Sequence, residues 1–253
     1  MTEVLTHSLT DAVNSAIKKL VTVEHFHAGS VVSLPVMYPS GASVTLEVAL
    51  QAGRVFVSDR GGAHQEAEFL GATRYFMREA ARLAQEAAIR FDGHDMFVAE
   101  APIERLAGAM TVVATCSANA ANATAFRAAE RAERHARSEL YDRLAAVYGP
   151  SGFEREVELV GSGSHKWRVD AQVKRSHSSA IFDSVTRSYV SVVGTAAKFH
   201  DIGRLEAPPR RIAVVTSEQD VISWIGVLAG ASDAVIEMHA ANDRFTTAAK
   251  LAA

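Results

Sequence analysis

Between residues 131 and 215 the hydrophobic period switches from helix to strand, back to helix and again to strand, which limits the folds open to this chain. Residues 130–148 are charged and amphipathic, and Gly149-Pro150 stops them. Three segments with strand character follow, at 153–160, 166–174 and 179–185. The spacing predicts a helix over 190–200, and Arg211-Ile212-Ala213-Val214-Val215 reads as a buried strand. A helix over 220–228, a strand over 234–238 and a helix from Asn242 complete the alternation. Short apolar strands alternating with helices imply a mixed sheet covered on both faces.

Two carboxylates stand out in this stretch. Alternate strand residues share a face, so Asp170, Gln172 and Lys174 point the same way. If the two strands pair through the turn at 175–178, Asp183 lies about as far from that turn as Asp170 does, roughly opposite it. Opposed carboxylates repel unless a cation or a proton lies between them. A divalent ion with oxygen ligands, such as Mg²⁺, is one resolution. The other is structural, with Arg168, Arg175 or Arg187 or a backbone N–H as partner.

The first half has a different texture. Residues 10–20 read as a short amphipathic helix. Residues 29–35 and 43–50 flank Tyr38-Pro39-Ser40-Gly41, a hairpin signal, and 54–58 supplies a third strand, so an antiparallel meander is expected. Ser58-Asp59-Arg60-Gly61-Gly62 reads as a turn closed by Asp59. One helix is expected over 67–88, then a small hairpin around Asp92-Gly93. From Pro102 the chain is alanine-rich and helical, with interruptions expected at Ala107-Gly108 and over 119–122. Division near 120–130 gives an N-terminal domain over 1–124 and a second over 125–253.

Other chemistry-bearing residues read more plainly. The net charge of −3 supplies no global field to draw the chain onto nucleic acid. Cys116, the single cysteine, rules out an internal disulfide and reads as a buried or half-buried thiol in a reducing, cytoplasmic setting. No apolar run is long enough for a membrane span. His25 and His27 share a face if their segment is a strand, without a third metal ligand nearby. His165, His177 and His200 fall near the acid pair and read as turn residues, with a phosphate contact conceivable for His177. Trp224 reads as core and Trp167 as core or interface, while Lys198, Arg204, Arg210 and Arg211 could form a local basic rim.

The order of helix, paired strands carrying Asp170 and Asp183, helix and strand resembles the core of the PD-(D/E)XK nuclease superfamily. The resemblance implies that strands two and three present two acids and a lysine to a metal. In this chain Asp183-Ser184-Val185 puts Val185 in the lysine slot. Lys174, on the Asp170 face, is the candidate substitute, which gives Asp170, Asp183 and Lys174 as catalytic candidates and Asp170 and Asp183 as metal ligands. Gln172-Val173-Lys174 also resembles a glutamine-containing variant of the motif, in a register that would recruit Glu156 or Glu158. The first register is favoured, and Glu133, Glu139 or Asp142 could complete either.

The whole chain also resembles a bacterial and prophage-associated two-domain family of unknown function. Val57 to Gly62 and Val169 to Ala171 carry that likeness. It implies a mobile-element or phage-conflict setting and no established catalytic residues. The expectation is therefore an α+β protein: an N-terminal antiparallel β-meander with helices, then a mixed α/β sheet resembling the restriction-endonuclease-like core. Its expected function is non-catalytic binding of a protein or nucleic acid, with inhibition of a bacterial defence complex as one such role and no cofactor. The alternatives are a Mg²⁺-dependent endonuclease and a homo-oligomeric structural protein.

Overall fold

A computed structural model describes residues 2–92, 96–175 and 178–250, arranged as two compact units, Met1–Ala128 and Ala129–Ala253. The division falls inside one helix. The tip of the Asp92-Gly93 hairpin and the assignments to Ser176 and His177 lie outside the described residues.

The first unit opens with α1 (Thr2–Leu20), then builds a sheet from β1 (Thr22–Phe26), β2 (Gly29–Met37), β3 (Ser43–Gln51) and β4 (Arg54–Ser58). The expected meander is present: β2 and β3 pair antiparallel across the Tyr38–Gly41 turn, and β4 follows β3. β5 (Arg90–Phe91) and β6 (Phe97–Pro102) extend it to six antiparallel strands in the order β1-β2-β3-β4-β6-β5. His27 lies in the turn after β1 rather than on the strand, and His25 Nδ1 is 2.8 Å from Ser30 Oγ, so the two histidines form no strand-face pair.

The single helix expected over 67–88 is two helices, α2 (Gly62–Phe69) and α3 (Thr73–Glu86). Gly71, at φ +60°, ends the first in a left-handed conformation that favours glycine. The alanine-rich segment departs in the opposite sense. After a short 3-10 turn, α4 (Leu106–Tyr148) runs unbroken through Gly108 and through 119–122. Thr124 bonds its hydroxyl back to the Ala120 carbonyl at 2.7 Å, so the polar residues there are accommodated within the helix. Val113, Ala114 and Ala120 of α4 join Val44, Leu46 and Phe97 in the core of the first unit.

The second unit takes residues 129–148 of α4 and adds β7 (Glu154–Val160), β8 (Lys166–Arg175), β9 (Ser178–Val185), α5 (Tyr189–Ile202) and β10 (Arg210–Val215). The 220–228 region is split into α6 (Glu218–Val221), a 3-10 turn and α7 (Ile225–Ala231), before β11 (Ala234–Glu237) and α8 (Asn242–Lys250). All five strands form one mixed sheet in the order β11-β10-β9-β8-β7. β8 runs antiparallel to β7 and β9, while β9, β10 and β11 are parallel.

Strand alternation sorts the core. Phe182, Ile212 and Val214 face Leu140 and Leu144 of α4 and Phe245 of α8. Ile181, Ala213 and Val215 face Val192 and Phe199 of α5 and Leu228 of α7. Helices thus cover both faces of the sheet.

Candidate functional site

The alternation fails at one place in β8. Val169 packs on the α5 side, but Ala171 and Val173 pack on the α4 side, so the strand reverses its facing at Asp170. The ladder between β8 and β9 is registered only as far as Ala171 opposite Phe182. On the other flank, β7 pairs regularly on both sides of Glu156, and Glu156 itself has φ +51°.

Two carboxylates replace the missing ladder bonds. The Asp170 N–H donates to Asp183 Oδ1 at 2.8 Å, and the Ser184 N–H donates to Asp170 Oδ2 at 2.8 Å. Each side chain therefore satisfies backbone of the opposite strand, which a buried N–H requires. Ser184 Oγ adds a second donor to Asp170 Oδ2 at 2.6 Å.

Cations complete the set, and they are not the ones expected. Arg137, on α4, donates Nε to Asp170 Oδ1 at 2.9 Å and Nη1 to Glu156 Oε1 at 3.3 Å. Lys198, on α5, pairs with Asp183 Oδ2. Its side chain is 16% exposed and that of Asp183 is 2% exposed, so this pair is shielded from water. Arg168 pairs with Glu156 instead, Arg187 lies exposed, and the Arg175 side chain lies outside the described residues.

Lys174 does not join the site. It points to solvent and forms a salt bridge with Glu154 at 2.9 Å. The reversal at Asp170 is the reason: a uniform alternation would have kept Asp170, Gln172 and Lys174 on one face. The glutamine-containing register fares no better, because Gln172 is buried away from the cleft and Glu156 is held by Arg137 and Arg168.

The two aspartates, Ser184, Arg137 and Lys198 line a cleft of about 230 Å³, with Glu133, Trp167, Val190 and Gly194 among its walls. Of the helix acids considered, Glu133 reaches it, whereas Glu139 lies 3.5 Å from His239. Trp167 is fixed by Asp201, whose carboxylate accepts the indole N–H at 2.6 Å and the Gly163 N–H at 2.8 Å. Those donors hold the Asp201 carboxyl below the usual carboxylate range. Burial pushes Asp183 up from 3.8 to about 6, with Lys198 opposing and Asp170 reinforcing the shift.

A divalent ion would have to displace the present partners of these carboxylates. It would need inward-facing oxygens, yet both oxygens of each aspartate already accept from N–H, hydroxyl or ammonium groups. Arg137 and Lys198 also neutralise the two acids, so a metal would sit against two cations. Among the described residues no three His, Cys, Asp or Glu side chains converge as a metal site.

Three of the four residues of the expected basic rim are likewise engaged, Lys198 with Asp183 as above, while Arg204 is exposed. Arg211 binds Asp233 at 2.9 and 3.0 Å, and Arg210 donates to the Ala248 carbonyl at 2.6 Å. Trp224 is 40% exposed rather than core, since its helix breaks into a 3-10 turn there.

A second polar cluster, in the first unit, was not legible beforehand. Asp59 closes its expected turn by accepting from the Gly61 N–H at 3.3 Å, but it also accepts from the Phe97 N–H at 2.9 Å and Ser117 Oγ at 2.6 Å. Ser117 Oγ in turn lies 2.7 Å from the Tyr38 hydroxyl. Burial raises the Asp59 carboxyl and the Tyr38 hydroxyl above their ordinary ranges. Every one of these groups has a partner, so the cluster ties β4, β6 and α4 together. Cys116, beside it, is a buried thiol raised by burial, in keeping with its sequence reading.

Among the described residues no helix is long and apolar enough to cross a membrane. Compared with known proteins, the chain matches no family model, no curated protein and no solved structure.

Proposed function

We propose that this chain is a non-catalytic binding protein whose second unit is a nuclease-like scaffold with its acid pair turned to structural use. One observation carries this reading: the carboxylates that a catalytic metal would need, Asp170 and Asp183, are already paired with Arg137 and Lys198. The helix–strand–strand–strand–helix–strand order, with acids on its second and third strands, supports the likeness of scaffold. The partner is a protein in a phage–host or mobile-element setting, inhibition of a defence complex being one such role. Support for a protein partner comes from the free edge of the first sheet. β1 lies at the end of the strand order, all five of its residues are exposed, and such an edge offers backbone groups for strand addition. Glu24 on that edge and the negative net charge favour a peptide strand over a phosphate backbone.

The test has two arms. Purified protein with Mg²⁺ or Mn²⁺ leaves plasmid and single-stranded substrates intact. In cross-linking capture from a bacterial host, the recovered partner is lost with a Val23→Lys/Phe26→Lys variant. Metal-dependent cleavage that disappears in both Asp170→Ala and Asp183→Ala overturns the reading.

A second reading, a metal-dependent endonuclease, is favoured by one observation. α5 delivers a lysine amine to Asp183, although the strand slot holds Val185. It requires Arg137 and Lys198 to give up their present partners.

A further inference from the structure

We infer that the outer face shared by α5, α7 and the 3-10 turn before α7 is a self-association surface, occupied by a second copy of this chain. Tyr189, Val190, Val193, Ile222, Trp224 and Val227 are exposed there, Val190 by 74% and Ile222 by 61%. The face is continuous: α5 packs against α7, and the Tyr189 and Trp224 rings meet edge to face at 5.1 Å. These side chains leave on the order of 600 Å² of apolar surface, the upper end of what a monomer displays. A standard interface takes roughly 800 Å² from each partner, so a modest surround would complete one.

Charge selects the occupant. Residues 188–197 and 221–231 contain no Asp, Glu, Lys or Arg, so a two-fold contact through this face sets no like charges against each other. The rim carries both signs, Arg187 before α5 and Glu218 and Asp220 in α6, all exposed. A rim of mixed sign can pair with its own copy, whereas a rim of one sign would repel it. A nucleic-acid strand would find one arginine and two acids there, a poor match to its phosphates.

Val190 and Gly194 belong both to this face and to the wall of the acid-pair cleft. Association therefore covers the mouth of the cleft. The inference stands whether or not the acid pair has catalytic power.

Sedimentation velocity and light scattering on the full chain, over a series from sub-micromolar to high micromolar, test it. Wild-type protein shifts with concentration to twice the monomer mass. Val190→Glu and Ile222→Glu each bury an unpaired charge in the contact and raise the dissociation constant on the order of 100-fold. Both positions are exposed in the monomer, so circular dichroism and melting of the variants at low concentration match wild type. Leu50→Glu, at an exposed apolar position of the first sheet, associates as wild type does. A wild-type chain that stays monomeric over the series, or association that survives both glutamate variants, overturns the inference.

Discussion

At Asp170 three kinds of donor converge on one carboxylate: a guanidinium from α4, a backbone N–H from β9 and the Ser184 hydroxyl. Charge-assisted bonds of this kind contribute roughly 1.5–3 kcal/mol each, so Asp170→Ala should lower stability by about that amount or more in urea unfolding. Millimolar Mg²⁺ should leave the wild-type melting temperature unchanged. If it raises that temperature, and Asp170→Ala abolishes the rise, the pair is a metal site. Asp183 obeys a different rule, because burial raises its carboxyl from 3.8 to about 6. Between those values the folded protein binds the proton more tightly than the unfolded chain. The stabilisation is therefore full below about pH 4 and is lost as pH rises through about 6, a change of roughly 2–3 kcal/mol. Wild-type unfolding free energy should fall across that window relative to Asp183→Asn, and an identical pH slope in the two proteins would refute this. Lys198→Met leaves a buried carboxylate without its cation and should cost about 3–5 kcal/mol near neutral pH, and less at pH 5, where Asp183 takes up a proton.

Among the elements, α4 and the turn after it show how local preference and tertiary context divide the outcome. Asn119 and Asn122 lie on the exposed side of α4, in a segment whose composition suggested a break. Because the helix is continuous there, Asn122→Ala should raise stability by about 0.5 kcal/mol, through helix propensity alone. A loss of stability or of helical ellipticity in that variant would indicate a break after all. Gly152 is constrained from the other direction. A Cβ added there would lie 2.1 Å from the Tyr148 carbonyl oxygen, at the turn that launches β7. Gly152→Ala should destabilise the second unit by more than about 1 kcal/mol, on the order expected of backbone strain, and unchanged thermal unfolding would count against this turn geometry.

Across the molecule, what was legible in the sequence followed from periodicity and punctuation. Period-two segments and their turns located β2, β3, β4, β7, β8 and β9, and the alternation after Gly152 gave the five-stranded mixed sheet with helices on both faces. Counting outward from a hairpin turn placed Asp170 and Asp183 together, because register in an antiparallel pair is nearly arithmetic. The restriction-endonuclease likeness of that sheet remains part of the proposal, while its mixed five-stranded order is observed. Three decisions lay beyond local pattern. β8 reverses its facing at Asp170, which removes Lys174 from the site, and no residue type in the strand marks that reversal. Asp59 reads as a turn residue from its neighbours, yet its strongest partners, Phe97 and Ser117, are 38 and 58 residues away. The counter-cations of the acid pair come from Arg137, 33 residues before Asp170, and Lys198, 15 residues after Asp183. By itself, the sequence determined most of the strands and the meeting of the two acids, since both follow from short-range geometry, while several helix boundaries did not. Only the tertiary structure decided what neutralises those acids, because which helix lays a cation against a buried carboxylate depends on how the helices pack across the sheet.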